Sequence, residues 1–146
     1  MNDRMKKFYM GIADDCAKMS RAVRLQVGAV IVKDNNIISF SWNGMPSGWA
    51  NCCEEEVVTE YESHTYSILV TKPEVIHAES NAISKLARGI ESGDGATMFV
   101  THAPCIDCAK GVYQAGIKEV YYKDSYRHSD GVTFLQKCNI PVEQIK

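Results

Sequence analysis

His77-Ala78-Glu79-Ser80-Asn81-Ala82-Ile83 and, further along, Pro104-Cys105-Ile106-Asp107-Cys108 decide how this chain is read. They hold three borderline-soft metal ligands, His77, Cys105 and Cys108, and one carboxylate, Glu79, left free of ligation. Catalytic zinc sites take three protein ligands and keep a fourth position for water. A histidine with a Cys-x-x-Cys pair meets that count. Cys105 and Cys108 lie three apart, which places them on one face of a helix start. Free amides at that helix end favour thiolate over thiol. His77 and Cys105 each stand where strand or loop turns into helix, so two helix N-termini side by side would offer all three ligands to one ion. Such junctions imply strands alternating with helices, and therefore an α/β fold.

The rest of the pattern agrees. Met5, Phe8, Tyr9, Ile12, Cys16 and Met19 recur at helical spacing over residues 4–19. Val27–Lys33 and Asn36–Trp42 read as strands joined at Asp34-Asn35, a hairpin signal. Residues 43–75 read as one long connection, which inside a compact domain is usually functional or mobile. Helices are expected over His77–Ala87, Cys105–Ala115 and residues 129–138. Strands are expected over Ala96–Thr101, Lys118–Tyr122 and Ile140–Val142. Two strands followed by alternating helix and strand argue for a three-layer α/β domain spanning residues 1–146, with no repeat or second-domain linker.

Composition narrows the partners. The chain has 146 residues, 45% hydrophobic and 23% charged, as in an ordinary globular domain. Its net charge of −2 and pI near 6.1 lack the basic excess of a polynucleotide-binding protein. The longest apolar stretch, Val27 to Val32, is far short of a membrane span. Met1-Asn2-Asp3-Arg4-Met5-Lys6-Lys7 has no signal-peptide core, so a cytoplasmic location is expected, with neither membrane nor nucleic acid as partner. The six cysteines then read as metal ligands or free thiols. Cys16 and Cys138 fit small core positions.

His-x-Glu followed by Pro-Cys-x-x-Cys is the signature of the zinc deaminases. At these residues the chain resembles the cytidine deaminase-like superfamily, and within it the deoxycytidylate (dCMP) deaminases. Further resemblance lies in Val27-Gly28-Ala29-Val30-Ile31-Val32, Trp42-Asn43-Gly44-Met45-Pro46-Ser47-Gly48 and Gln114-Ala115-Gly116-Ile117-Lys118-Glu119-Val120. Asn51-Cys52-Cys53-Glu54 is similar to phage members of that branch. The resemblance implies an α/β/α sandwich about a mixed five-stranded sheet. It implies hydrolysis of dCMP to dUMP and ammonia, with zinc supplying an activated water and Glu79 moving protons. It assigns Asn43 to the sugar, Ala78 to the pyrimidine edge, and Thr101 and Tyr126 to the substrate. Arg21, Arg24 and Arg127 are the candidates for the phosphate. It also implies a hexamer activated by dCTP and inhibited by dTTP with Mg²⁺. Gly28, Gly44, Met45, Pro46, Ser47, Gly48, Asn51 and Arg88 match effector or coupling positions.

There are departures and competitors. Trp42 replaces a tyrosine, and His102 replaces an apolar or aromatic residue. The resemblance extends to phage relatives that bind a second, structural zinc; this chain keeps Cys52, Cys53 and His64, but Ala22 stands where a further cysteine ligand is expected, which argues against that second ion. A closed zinc knot using Cys52 or Cys53 would leave Glu79 without a chemical role. The competing functions are deamination of cytidine, or of a base in tRNA or single-stranded DNA, and a non-catalytic zinc-stabilised nucleotide binder.

Overall fold

A computed structural model describes all residues, Met1–Lys146. Helix α1 (Asp3–Lys18) opens the chain, its first turn capped by the Asn2 side chain, which accepts from the Met5 N–H at 2.9 Å. Strands β1 (Gly28–Lys33) and β2 (Asn36–Trp42) follow as an antiparallel hairpin. Its two turn residues, Asp34 and Asn35, have φ of 50° and 60°, a geometry that short polar side chains tolerate. Then come β3 (Glu54–Tyr61), β4 (His64–Thr71), α2 (Ala78–Ala87), β5 (Thr97–His102), α3 (Ile106–Gln114), β6 (Glu119–Asp124), α4 (Asp130–Lys137) and β7 (Val142–Gln144).

The main sheet has the order β2-β1-β5-β6-β7. β1 is antiparallel to β2 and β5, whereas β5, β6 and β7 run parallel. The sheet is therefore mixed and five-stranded, as the resemblance implies. Strand alternation builds two cores. Ala29, Ile31, Met98, Val100 and Val120 face α2, α3 and α4. Val30, Val32, Phe99 and Tyr121 face α1 through Tyr9, Met10 and Ala13. Each fully buried aliphatic side chain contributes about 1.5–3 kcal/mol of transfer free energy. Cys16 lies in the α1 core and Cys138 packs against the other, as expected of small core residues.

Two glycines allow close approaches. A Cβ at Gly28 would lie 2.0 Å from the Ala13 carbonyl oxygen, so α1 rests directly on β1. A Cβ at Gly131 would lie 2.0 Å from the Pro104 carbonyl oxygen, so α4 seats against the backbone that carries Cys105.

Two expectations need correction. Residues 43–75 are not one unstructured connection. They contain a separate antiparallel ribbon, β3–β4, turned by Glu62 and Ser63 at φ of 49° and 64°. Neither residue is the glycine or asparagine that usually announces such a turn, and most of the ribbon is exposed. The last strand is Val142–Gln144 rather than Ile140–Val142. Asn139, at φ 60°, closes α4: its N–H bonds to the Gln136 carbonyl and the Ile140 N–H to the Leu135 carbonyl, both at 3.0 Å. Ile140 is used up in that Schellman stop, and the strand begins beyond Pro141. No helix is long and apolar enough to cross a membrane.

Candidate active site

The ligand-bearing residues sit where the sequence placed them. His77 is the N-cap of α2 and Cys105 the N-cap of α3, and Cys108 lies in the first turn of α3. The Cys105 sulfur accepts from the Cys108 N–H at 3.5 Å, so the cap aims the thiol back across its own helix end. His77 Nδ1 lies 3.5 Å from Cys105 Sγ and 3.3 Å from Cys108 Sγ. All three ligand atoms fall within 4.8 Å of one another.

These residues fit zinc. Zn–S of about 2.3 Å and Zn–N of about 2.0–2.1 Å at tetrahedral angles require N···S separations of about 3.5 Å. The observed separations match. Cys105 is held down to about 4 by hydrogen bonds from Cys108 and from His77. Cys108 is pushed up by the same contact with Cys105 and by burial. The bond to Cys105 raises His77. Ser80 Oγ stands 3.6 Å from Cys108 Sγ, a neighbour that sequence reasoning did not single out.

Glu79 is 4% exposed, in the first turn of α2. Burial pushes its carboxyl up to about 7, against the opposing pull of its own backbone amide and of His77. A carboxyl near neutrality can both take and give a proton.

A cleft of about 610 Å³ opens above this cluster, lined by His77, Ala78, Glu79 and Cys105. Asn43, Arg24, Tyr126 and Arg127 also line it, so these sequence candidates converge on one space. Asn43 is largely committed to the fold: its Nδ2 donates to the Leu25 carbonyl and its Oδ1 accepts from the Val27 N–H. One amide hydrogen of Asn43 remains for a ligand. The Arg127 guanidinium carbon sits 5.6 Å over the Tyr126 ring, which holds both side chains together at the rim.

Other candidates lie elsewhere. Thr101 is buried and outside the cleft lining; its Oγ1 accepts from the Gly28 N–H at 3.1 Å and lies 3.1 Å from His102 Nδ1. Arg21 is exposed and also outside the lining. Gly28 is inside β1 beneath α1, and Arg88 is the exposed C-cap of α2. The Gly44–Gly48 loop is tied to the segment before α2, Gly44 and Ile76 exchanging hydrogen bonds of 3.1 and 2.8 Å. Met45 packs against Ala22, Cys53 and Val75, and Asn51 is exposed nearby in sequence.

Cys52, Cys53 and His64 do not gather into a second ligand cluster. Cys53 is buried beside Ala22 and Val75, while His64 is at the ribbon tip, paired with Tyr61. His102, Val70 and Thr71 line the cleft as well, the last two from the ribbon the sequence did not reveal.

Fold and donor set together define a mononuclear zinc site on an α/β domain, with a buried carboxylate beside the ligands. Residues 3–124 match the cytidine and deoxycytidylate deaminase zinc-binding region, and the chain belongs to that family. The deoxycytidylate deaminase of Enterobacteria phage T4 is 36% identical over 138 residues, covering 73% of this chain and 71% of that protein. The human deoxycytidylate deaminase is 36% identical over 129 residues, covering 87% of this chain and 69% of the human one. The crystal structure of dCMP deaminase from the cyanophage S-TIM5, in complex with dCMP and dUMP, superposes with a TM-score of 0.87 at 42% identity, covering 99% of both chains.

Proposed function

We propose that this chain hydrolyses dCMP to dUMP and ammonia. The observation that carries the reading is Glu79, buried beside His77, Cys105 and Cys108 in a cleft whose lining also holds Arg24 and Arg127. The likeness to proteins named deoxycytidylate deaminase, one with dCMP and dUMP bound, supports the substrate.

The chain's own groups have distinct tasks. A zinc ion held by His77, Cys105 and Cys108 would supply an activated water at neutral pH. Glu79 takes one proton from the attacking water and passes it to the ring N3, then takes the second from the new C4 hydroxyl and gives it to the amine as the C4–N bond breaks and the C4 carbonyl forms. Ala78, fully buried at the start of α2, offers main-chain groups to the pyrimidine edge. Asn43 receives the sugar, and Tyr126 closes over the nucleotide. Arg24 and Arg127 meet the phosphate, where guanidinium groups form charge-assisted bonds.

We further propose regulation of a hexamer by dCTP as activator and by dTTP with Mg²⁺ as inhibitor, acting at the Gly44–Gly48 loop with Gly28, Asn51 and Arg88. The hydrogen bonds between Gly44 and Ile76, the residue before His77, supply a short route from loop to site. The proposed setting is the cytoplasm, that of the host for a phage-encoded chain.

Ammonia release by zinc-loaded protein, with dCMP, cytidine and deoxycytidine in parallel, tests the activity. Turnover preferring dCMP is expected, raised by dCTP and lowered by dTTP with Mg²⁺. Turnover indifferent to triphosphates would remove the regulatory part alone. No release from any of the three would overturn the proposed reaction.

A further inference from the structure

Arg24 sits in an irregular segment between α1 and β1, outside every helix and strand. Its neighbours Arg21, Val23 and Leu25 are exposed. A guanidinium on such a segment reaches a phosphate reliably only if something fixes it, because ordering a long side chain and its backbone carries an entropy cost.

The root of the β3–β4 ribbon supplies that fixation. Glu54 is the buried glutamate of β3, in contrast to the exposed Glu55 and Glu56 beside it. Its Oε1 accepts from the Val23 N–H at 2.8 Å and the Arg24 N–H at 3.1 Å. A carboxylate is buried at acceptable cost when such donors satisfy it. Directly across the ribbon, Glu54 pairs with Thr71. The Thr71 hydroxyl accepts from Arg24 Nη1 at 3.2 Å. One register pair thus holds Arg24 at both ends: Glu54 grips its backbone and Thr71 its guanidinium. Thr71 and Arg24 both line the cleft. With one Nη1 donor used on Thr71, the remaining guanidinium donors stay available.

We infer that Glu54 and Thr71 are positioning residues that hold Arg24 ready to read the 5′-phosphate, so the ribbon root sets the preference for nucleotide over nucleoside. This rests on the proposed dCMP reaction. Neither side chain hydrogen-bonds to a proposed zinc ligand or to Glu79.

The test measures kcat and KM for dCMP and deoxycytidine in zinc-loaded wild type and in Glu54→Ala, Glu54→Gln, Thr71→Val and Arg24→Ala. Glu54→Ala should lower the dCMP-to-deoxycytidine ratio of kcat/KM roughly tenfold, the loss of about one charge-assisted contact, and chiefly through the KM of dCMP. Glu54→Gln keeps an acceptor oxygen and should restore part of the ratio. Thr71→Val, at an exposed strand position, should lower the ratio several-fold, roughly the worth of one hydrogen bond, and reads the same effect if Glu54→Ala does not fold. Combining Glu54→Ala with Arg24→Ala should lower the ratio no further than Arg24→Ala alone. Equal losses on both substrates, an unchanged ratio, or full additivity with Arg24→Ala would overturn the inference. Failure of wild type to act on dCMP would instead overturn the underlying reaction, before any variant is compared.

Discussion

The floor and the side wall of the cleft are built differently. On the floor, His77, Cys105 and Cys108 ride on the N-termini of α2 and α3, helices that pack on the larger buried core of the sheet. On the wall, Arg24 hangs from an irregular segment, steadied by the root of a ribbon whose outer residues face solvent, Val58 at 64% and Ile68 at 49% exposure. The contrast separates two demands. Bond-making needs ligand atoms fixed to within a few tenths of an ångström, which rigid helix ends provide. Substrate choice can be placed on peripheral segments, which change without disturbing the body.

Chelation is the severest challenge to the floor. Removing zinc is expected to abolish turnover and lower the melting temperature, with both restored by Zn²⁺ and neither by Mg²⁺; retention of turnover in fully demetallated protein would show that the cluster is not the catalytic centre. Next in size, Glu79→Gln should keep bound zinc and lower kcat by roughly 100- to 10,000-fold. A loss under tenfold at full zinc occupancy would show that the proton moves by another group. Gly131→Ala attacks the floor from behind, since its Cβ would lie 2.0 Å from the Pro104 oxygen. It should cost about 1–3 kcal/mol by chemical denaturation, together with weaker zinc retention. A wild-type denaturation midpoint would mean that α4 does not brace Cys105. Least should happen on the wall's outer surface. Ile68→Ser, at an exposed ribbon site, is expected to change stability by about 0.5 kcal/mol or less. A loss of several kcal/mol there would erase the distinction between body and ribbon.

The floor was legible in sequence because its chemistry is local. Cys105 and Cys108 face one way through a single helical turn, and His77 and Glu79 are fixed by the next helix start. The alternation of β1, β5 and β6 with helices was readable for a related reason: strands buried on both faces are apolar runs, as in Gly28–Lys33 and Thr97–His102. The β3–β4 ribbon was hidden because it has no buried face to impose a pattern. Its turn also uses Glu62 and Ser63, where asparagine or glycine would have marked it. Gly131 gave no signal either, since nothing near it in sequence shows that α4 returns to Pro104.

By itself the sequence pointed to the α/β class, to His77, Cys105 and Cys108 as the candidate zinc ligands and to Glu79 as the proposed proton carrier, the last two from two short local motifs. Only the tertiary structure decided that Glu79 is buried enough to titrate near 7 and that Arg24 faces the same cleft as Arg127. It also decided that Glu54, thirty positions further along, holds the Arg24 backbone. Those outcomes depend on desolvation and on contacts between distant segments, and both are properties of the packed chain.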